Sequence, residues 1–493
     1  MKKRISILSI TFLFINILNA QEINIRSVPL VSANQEDFQP SLSRGMGNLS
    51  IVFDDSIADP FINPAKASKL SGLKLFFSPT RNTWSNKEGT SVNSNFGSAK
   101  YRGTKINSLP FGFYLRKDNV FAGGSIAYQS YSSDRSSTIY PYFYSPSNYN
   151  DKNDIGNNTY LFGLIGTYLP DLKVSVAGSF SWSKYSAFDG VNLLYPGSYE
   201  INQDGWAVNY KLGLLVELSD KEQLDLIFGR SMFKSTHDVI YNYGGVIYDY
   251  IYPYREDLNK DESNGWIVHT KYNRVLIHSW KFGAMFTINW KEHPKLPNYT
   301  IANIPRDPGN STAYNIGAGL VHYGSKSIAG FEYIYEPISS NTWAEPDELS
   351  LYPKTYRTVE NFFDFYNHIL RAGILSQTEY NWLDIRFGIQ LHFYKYNLKQ
   401  NDNIAFTSRS AEEDWLETSL TGGLTFKLDK FQIFYSLQLI LGNGIVETTG
   451  SNSSIRFVGA EKAVNDFLIA PSSSLTVDKI PLVSQQITFM YNL

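Results

Sequence analysis

The stretch "LETSLTGGLTFKLDKFQIFYSLQLIL", residues 416–441, decides how the rest of the chain is read. Leu416, Leu420, Leu424, Phe426 and Leu428 share one parity, whereas Glu417, Ser419, Thr421, Thr425 and Lys427 share the other. After the two-residue step Asp429-Lys430 the alternation resumes with Phe431, Ile433, Tyr435, Leu437, Leu439 and Leu441 in phase. Side chains of a strand point to opposite faces with a period of two, so this is a hairpin of two amphipathic strands. Each runs to roughly 11–13 residues, whereas soluble strands average about 5–6 and a tilted membrane-crossing strand needs about 9–11. Length favours the membrane.

The same grammar recurs in "LKVSVAGSFSW" from 172, "WAVNYKLGLLVEL" from 206 and "LDIRFGIQLHF" from 383. Trp182, Trp206, Trp280, Trp290 and Trp382 stand near strand ends, where an interfacial girdle would put them. Short connections such as Pro170–Asp171, Asp220–Glu222 and Asp429–Lys430 alternate with long ones at about 130–158, 185–205, 233–265, 291–312, 337–366, 395–414 and 442–482. That alternation predicts tight periplasmic turns and large outer loops. Fifteen strands are clear, an odd number that cannot leave both termini on one side. "GWIVHTKYNRVLIHSWKFGAMFTINW", residues 265–290, breaks the order of short and long connections and has room for two strands. The expectation is an all-β, transmembrane antiparallel barrel of 14–16 strands.

Composition agrees. The chain has 493 residues, no Cys, 34 Tyr, 32 Phe and 9 Trp, and only 18% charged residues. "MKKRISILSITFLFINILNA" combines Lys2, Lys3 and Arg4 with a short apolar run and a small residue at position 20, the pattern of a secretory signal peptide over residues 1–20. Without those three cations the balance is 46 acids to 41 bases, about −5, and no basic patch points to nucleic acid. No later run is long and apolar enough for a spanning helix. The end, "QQITFMYNL", alternates through Phe489, Tyr491 and Leu493 to the last residue. Such a terminus resembles the signal read by the barrel-assembly machinery, which with outer-membrane lipid is an expected partner. The expected location is the outer membrane of a Gram-negative bacterium.

A barrel of this size encloses more lumen than wall side chains fill. Residues 21–71 precede the first clear strand and suit a lumenal hatch, leaving 72–493 for the barrel. In "GMGNLSIVFDDSIADPFINPAKASKL", residues 45–70, Gly45 and Gly47 permit tight backbone, Asn63-Pro64 favours a turn, and Ala65 to Leu70 reads as one short helix started by Asn63. This stretch resembles the N-terminal hatch of the FadL-like outer-membrane family, transporters of long-chain fatty acids and aromatic hydrocarbons, and of the related type IX secretion barrels of Bacteroidota. Gly45, Gly47, Asp54, Asp55, Asn63, Pro64 and Ala65 are the matching positions, over about 30 residues. Lys66 departs from the pattern, which commonly has Gly there. The resemblance implies a hatch-gated passive transporter of hydrophobic small molecules such as fatty acids. The other implied role is a barrel that docks secreted or surface proteins.

Two Tyr-rich loops are candidate ligand contacts: Tyr140, Tyr142, Phe143 and Tyr144 in one, Tyr248, Tyr250 and Tyr252 in the other. Their rings have apolar faces and hydrogen-bonding hydroxyls. Nothing points to catalysis or a cofactor. The seven His are scattered without a zinc-pair spacing, and no G-x-S-x-G occurs. "EEDW" at Glu412–Trp415 and "DLNKDES" at Asp257–Ser263 read as solvated loop acids rather than a metal site. No TonB box is evident in residues 21–40, so energised coupling is not expected.

Overall fold

The computed structural model describes residue 23 and residues 35–493 except 95–96, 140–149, 190–197, 243–245, 248–249, 252–253, 278, 295–307, 346–355, 405, 444–445, 449–474 and 478–479. The expected signal peptide and Tyr140, Tyr142, Phe143, Tyr144, Tyr248 and Tyr252 therefore lie outside the described residues. Tyr250 is described in its backbone alone, in a two-residue ladder with Val246–Ile247.

The first strand, β1, comprises Gly72–Phe77 and Thr80–Ser94, interrupted at Ser78-Pro79 because proline has no N–H to give the ladder. There follow β2 (Gly97–Lys117), β3 (Val120–Ile139), β4 (Asn150–Leu169), β5 (Val174–Tyr185), β6 (Glu200–Ser219), β7 (Glu222–Asn242) and β8 (Tyr254–Ile277). The second half is β9 (Trp280–His293), β10 (Gly309–Tyr323), β11 (Ser327–Ala344), β12 (Val359–Gln377), β13 (Leu383–Asp402), β14 (Thr407–Leu428), β15 (Phe431–Asn443) and β16 (Ile480–Asn492). Each pairs antiparallel with the next. β1 pairs with β16 as well as β2, from Lys74 opposite Asn492 to Trp84 opposite Leu482, so the ring of sixteen strands closes. At the seam the Leu493 N–H donates to the Leu73 carbonyl at 2.8 Å.

Sixteen resolves the parity problem as the 265–290 stretch suggested. β8 ends at Ile277 and β9 begins at Trp280, and Trp266 lies opposite Trp290. The strands are nevertheless longer than the alternation foretold, twenty residues in β3 and β4. Much of the expected loops at 130–158, 233–265 and 395–414 is strand, and both acidic stretches, 257–263 and 412–415, lie in β8 and β14 rather than in loops. Outside the membrane both faces of a strand meet polar surroundings, so pairing continues after the apolar alternation stops.

The hairpin quoted above shows which face is which. Leu420 is 46% exposed and Leu437 38%, while their neighbours Ser419 and Gln438 are 1% and 3% exposed. The apolar face looks outward and the polar face is buried, the inverse of a soluble barrel. Phe431 and Phe77 flank Phe489 on the outer seam, with ring centroids 6.2 and 6.3 Å away. Trp280 and Trp382 stand exposed beside the short turns, as an interfacial belt requires. An apolar exterior around a closed ladder makes this a transmembrane β-barrel, an architecture of the Gram-negative outer membrane.

Leu420→Arg is expected to lower the unfolding free energy of the bilayer-inserted barrel by up to about 2–4 kcal/mol, and Leu420→Phe to leave it nearly unchanged. Urea titration of both variants refolded into lipid vesicles measures this.

Candidate functional site

Residues 35–71 touch the inner faces of strands all around the ring. Gln129 of β3 donates to the Gln35 carbonyl at 2.8 Å, Arg44 donates to Ser484 of β16 at 2.8 Å, and the Gly47 N–H donates to Thr421 of β14 at 2.8 Å. Farther on, Asn63 Nδ2 donates to the Leu214 carbonyl of β6 at 3.2 Å, and Ser175 of β5 donates to Ser68 at 2.8 Å. The segment thus crosses the lumen. Its own structure is slight: 3-10 turns at Ser43–Met46 and Pro64–Lys69, and one α-turn at Asp59–Ile62. The expected helix after Asn63 is the second 3-10 turn, with Asn63 Oδ1 accepting from the Ala65 N–H at 3.0 Å.

Each position of the segment that matches the family pattern has a distinct contact. Gly47 has φ of 68°, and a Cβ there would stand 2.6 Å from the Ala372 carbonyl oxygen and 2.7 Å from that of Ile389. Opposite it, a Cβ on Gly388 would fall 2.1 Å from Gly47 N, and one on Gly373 would fall 2.3 Å from the Met46 carbonyl oxygen. Glycine thus meets glycine where segment and wall backbones touch. Gly45 lies against Gly423 in the same way, though more loosely, with its Cβ position 3.2 Å from Gly423 Cα. Asp55 organises the segment itself. Its Oδ2 accepts from Ser41 Oγ and from the Leu42 and Ser43 N–H groups at 2.8, 2.6 and 2.9 Å, and its Oδ1 accepts from the Ile57 and Ala58 N–H groups at 3.2 and 3.1 Å. Asp54 instead reaches the wall, 2.6 Å from Lys281 of β9. Pro64 and Ala65 are buried; Pro64 sits against Gly213, whose Cβ position is 2.9 Å from Pro64 Cδ.

The wall contributes charges that sequence reading passed over. Glu332 of β11 is wholly buried, and its carboxylate accepts from the N–H groups of Ser50, Ile51 and Val52 at 2.9, 2.6 and 2.9 Å. Charged acceptors make hydrogen bonds about twice as strong as neutral ones, and here one side chain satisfies three successive backbone donors. Arg371 of β12 donates to Ser50 Oγ at 2.8 Å, and Lys271 of β8 donates to the Ser50 carbonyl at 2.9 Å. The available signal was an isolated charge inside an otherwise apolar strand of membrane length, as Glu332 is in "GFEYIY".

Lys66, the departure from the family pattern, is buried between Asp59 at 2.9 Å and Asp225 of β7 at 3.1 Å. Burial disfavours its ammonium, but Asp225, Asp59 and Asp54 outweigh it and hold its pKa well above the ordinary lysine value. Burial likewise pushes the Asp59 carboxyl up, against the pull of Lys66. In Asp54, which is partly exposed, the upward push of desolvation within the lumen loses to Lys281 and the lysines beyond it, and the carboxyl titrates below the ordinary range. The stabilisation from Asp54 is therefore present above the ordinary carboxylate pKa and lost only as pH falls through its lower folded value.

Between this segment and the wall of β3 to β6 lies a cavity of about 190 Å³. Phe38 and Phe61 of the segment form one side with Tyr160, Phe162 and Tyr185 of the wall. Phe61 stands 4.7 Å from Phe162 and Phe38 4.5 Å from Tyr160, centroid to centroid. Ser125, Ser179, Ser181, Ser183, Asn209 and Lys211 line the rest, with Glu36 at its edge. No sequence signal marked these residues, because alternate small polar residues on a strand are also what an inner barrel face looks like.

The fold and lumen thus define the class, an outer-membrane β-barrel crossed by its own N-terminal segment. No family model matches the chain and no curated protein matches it. Solved structures do. The toluene transporter TodX of Pseudomonas putida shares 11% identity over 96% of this chain and 100% of its own, with a TM-score of 0.41. A FadL homologue of Pseudomonas aeruginosa shares 10% over 92% and 99%, at 0.45, and the toluene transporter TbuX of Ralstonia pickettii 12% over 93% and 99%, at 0.37.

Lys66→Met is expected to cost about 3–5 kcal/mol by leaving buried carboxylates underpaired, and adding Asp225→Asn to recover more than half; denaturant unfolding of both variants reads this. Gly388→Ala is expected to lift residues 45–48 off the wall while the barrel still folds. Limited proteolysis should then cut the segment at least several-fold faster, with heat-modifiable electrophoretic migration unchanged.

Proposed function

We propose that this chain is a passive outer-membrane transporter of hydrophobic small molecules such as fatty acids, with residues 21–71 acting as its hatch behind a signal peptide cleaved after Ala20. The observation that carries the reading is the aromatic cavity between the segment and the wall of β3 to β6. An apolar molecule resting on Phe38 and Phe61 would touch the movable part and the fixed part of the lumen at once. Its binding energy could then favour a displaced segment over the docked one, as a ligand must if it is to shift a conformational equilibrium. No covalent bond holds the segment, since the chain has no Cys. Phe489, Tyr491 and Leu493 are proposed as the contact for barrel assembly. The alternative, a barrel that docks secreted or surface proteins, draws support from the charged contacts that fix the segment, the ion pairs of Asp54 and Lys66 and the amides held by Glu332.

Asn48 Nδ2 meets Gln390 Oε1 at 3.5 Å, so cysteines introduced at these two positions can be bridged by a short bifunctional thiol reagent. In lipid vesicles carrying the doubly substituted barrel, uptake of a fluorescent fatty acid is expected to stop on crosslinking and return when a cleavable bridge is reduced. Uptake indifferent to the crosslink would exclude hatch gating. A stoichiometric protein copurifying with a barrel that passes nothing would favour docking.

A further inference from the structure

The cavity beside Phe38 and Phe61 is not uniformly apolar, and its polar side is specific enough to choose among ligands. We propose that it takes a single ring carrying a hydroxyl group, a phenol, in preference to the plain hydrocarbon ring; this deepens the transport reading above and rests on it.

Size sets the first limit. A buried cavity of about 150 Å³ suffices for benzene, and this one, open along part of its boundary, measures about 190 Å³, room for one ring with a small substituent. The aromatic side offers faces to that ring, with Phe61 tilted 46° to Phe162 and Phe38 tilted 49° to Tyr160. The tyrosine hydroxyls are already engaged. Tyr160 donates to Gln129 Oε1 at 2.9 Å and Tyr185 donates to Glu36 Oε1 at 3.0 Å, so these two rings present mainly their apolar bodies.

Small hydroxyls are interleaved with these rings on the wall, Ser183 opposite Tyr160 in the strand register and Ser125 opposite Phe162. Ser125 of β3 and Ser179 and Ser183 of β5 line the cavity, and none of the three hydroxyls has a hydrogen-bond partner among the described residues. Beside them Asn209 Nδ2 donates to Ser181 Oγ at 3.3 Å. A serine hydroxyl both donates and accepts, so a ligand hydroxyl of either sense finds a match. A hydrocarbon ring in the same place would strip water from these serines and return nothing. Sites built for a ligand hydroxyl reject the analogue that lacks it for this reason. On β5, Ser175, Ala177, Ser179, Ser181 and Ser183 succeed one another on the inner face, so this strand offers only small side chains to the cavity before Tyr185.

Phenol and toluene have the same heavy-atom count and nearly the same shape, and they differ in hydroxyl against methyl. Equilibrium dialysis of the full barrel in amphipol with each radiolabelled ring, corrected for a Ser181→Trp variant whose indole fills the cavity, isolates binding here. Phenol is expected to bind about tenfold or more tightly than toluene. In the Ser179→Ala/Ser183→Ala variant, which removes two hydroxyls and little volume, the preference should reverse. Heat-modifiable migration confirms that each variant folds. Toluene bound as tightly as phenol, or a preference untouched by the two alanines, overturns the inference and leaves the transport reading standing. Neither ring binding above the Ser181→Trp background, with crosslink-sensitive fatty-acid uptake intact, also overturns it, by placing the path elsewhere. Loss of the transport reading is read separately, from uptake that ignores the crosslink.

Discussion

Every backbone polar group in the hydrocarbon layer must find its partner inside the protein, and the rest of this structure depends on that demand. Water is absent there, so an open sheet edge is not tolerated and a sheet must close on itself. Here closure falls between β1 and β16, where Leu493 and Leu73 exchange a backbone hydrogen bond and Phe77 lies against Phe489 outside. The break at Ser78-Pro79 is repaired on the spot. The Ser78 N–H donates to the Pro110 carbonyl at 2.9 Å, and the Pro79 carbonyl accepts from the Ile487 N–H at 3.0 Å.

Closure creates a second problem inside. Sixteen strands enclose a space their own side chains do not fill, and the inner face carries charges that need partners. The N-terminal segment and the wall solve this together. Glu332 holds three amides of the segment, Lys281 holds Asp54, and Asp225 answers Lys66. Lys66 is instructive because it departs from the pattern of the family the segment resembles. Its burial is tolerated because two carboxylates, one from the segment and one from the wall, stand within 3.1 Å. Where no charge pairs, backbone meets backbone, and glycines on both sides make that approach possible at Gly47 and Gly388.

The filled and unfilled parts of the lumen therefore differ in chemistry. Ion pairs and glycine contacts fix residues 41–66 against β9 to β14 and against β6 and β7, whereas aromatic rings and small hydroxyls together line a cavity at β3 to β6.

Much of this was written in the sequence, and some was not. Alternation over membrane length gave the barrel, because the lipid and lumen faces of a strand impose opposite chemistry at a period of two, as in Leu420 beside Ser419. The parity of strands exposed the hidden pair β8 and β9, since termini on one side require an even count. Gly47 and Asn63 were legible because backbone geometry and capping are local, whereas Asp55 stood out only through the family resemblance. The true strand lengths were not, since pairing above the membrane leaves no apolar period. Nor were the partners of Lys66, Asp54 and the Ser50–Val52 amides. Asp225, Lys281 and Glu332 lie more than 150 residues from them in the chain, and only closure of the ring brings them to one lumen. The cavity is the extreme case. Ser179 and Ser183 look like any inner barrel face until the fold sets Phe38 and Phe61 across from them. Local rules fix what each residue can offer, and tertiary closure alone fixes what it meets.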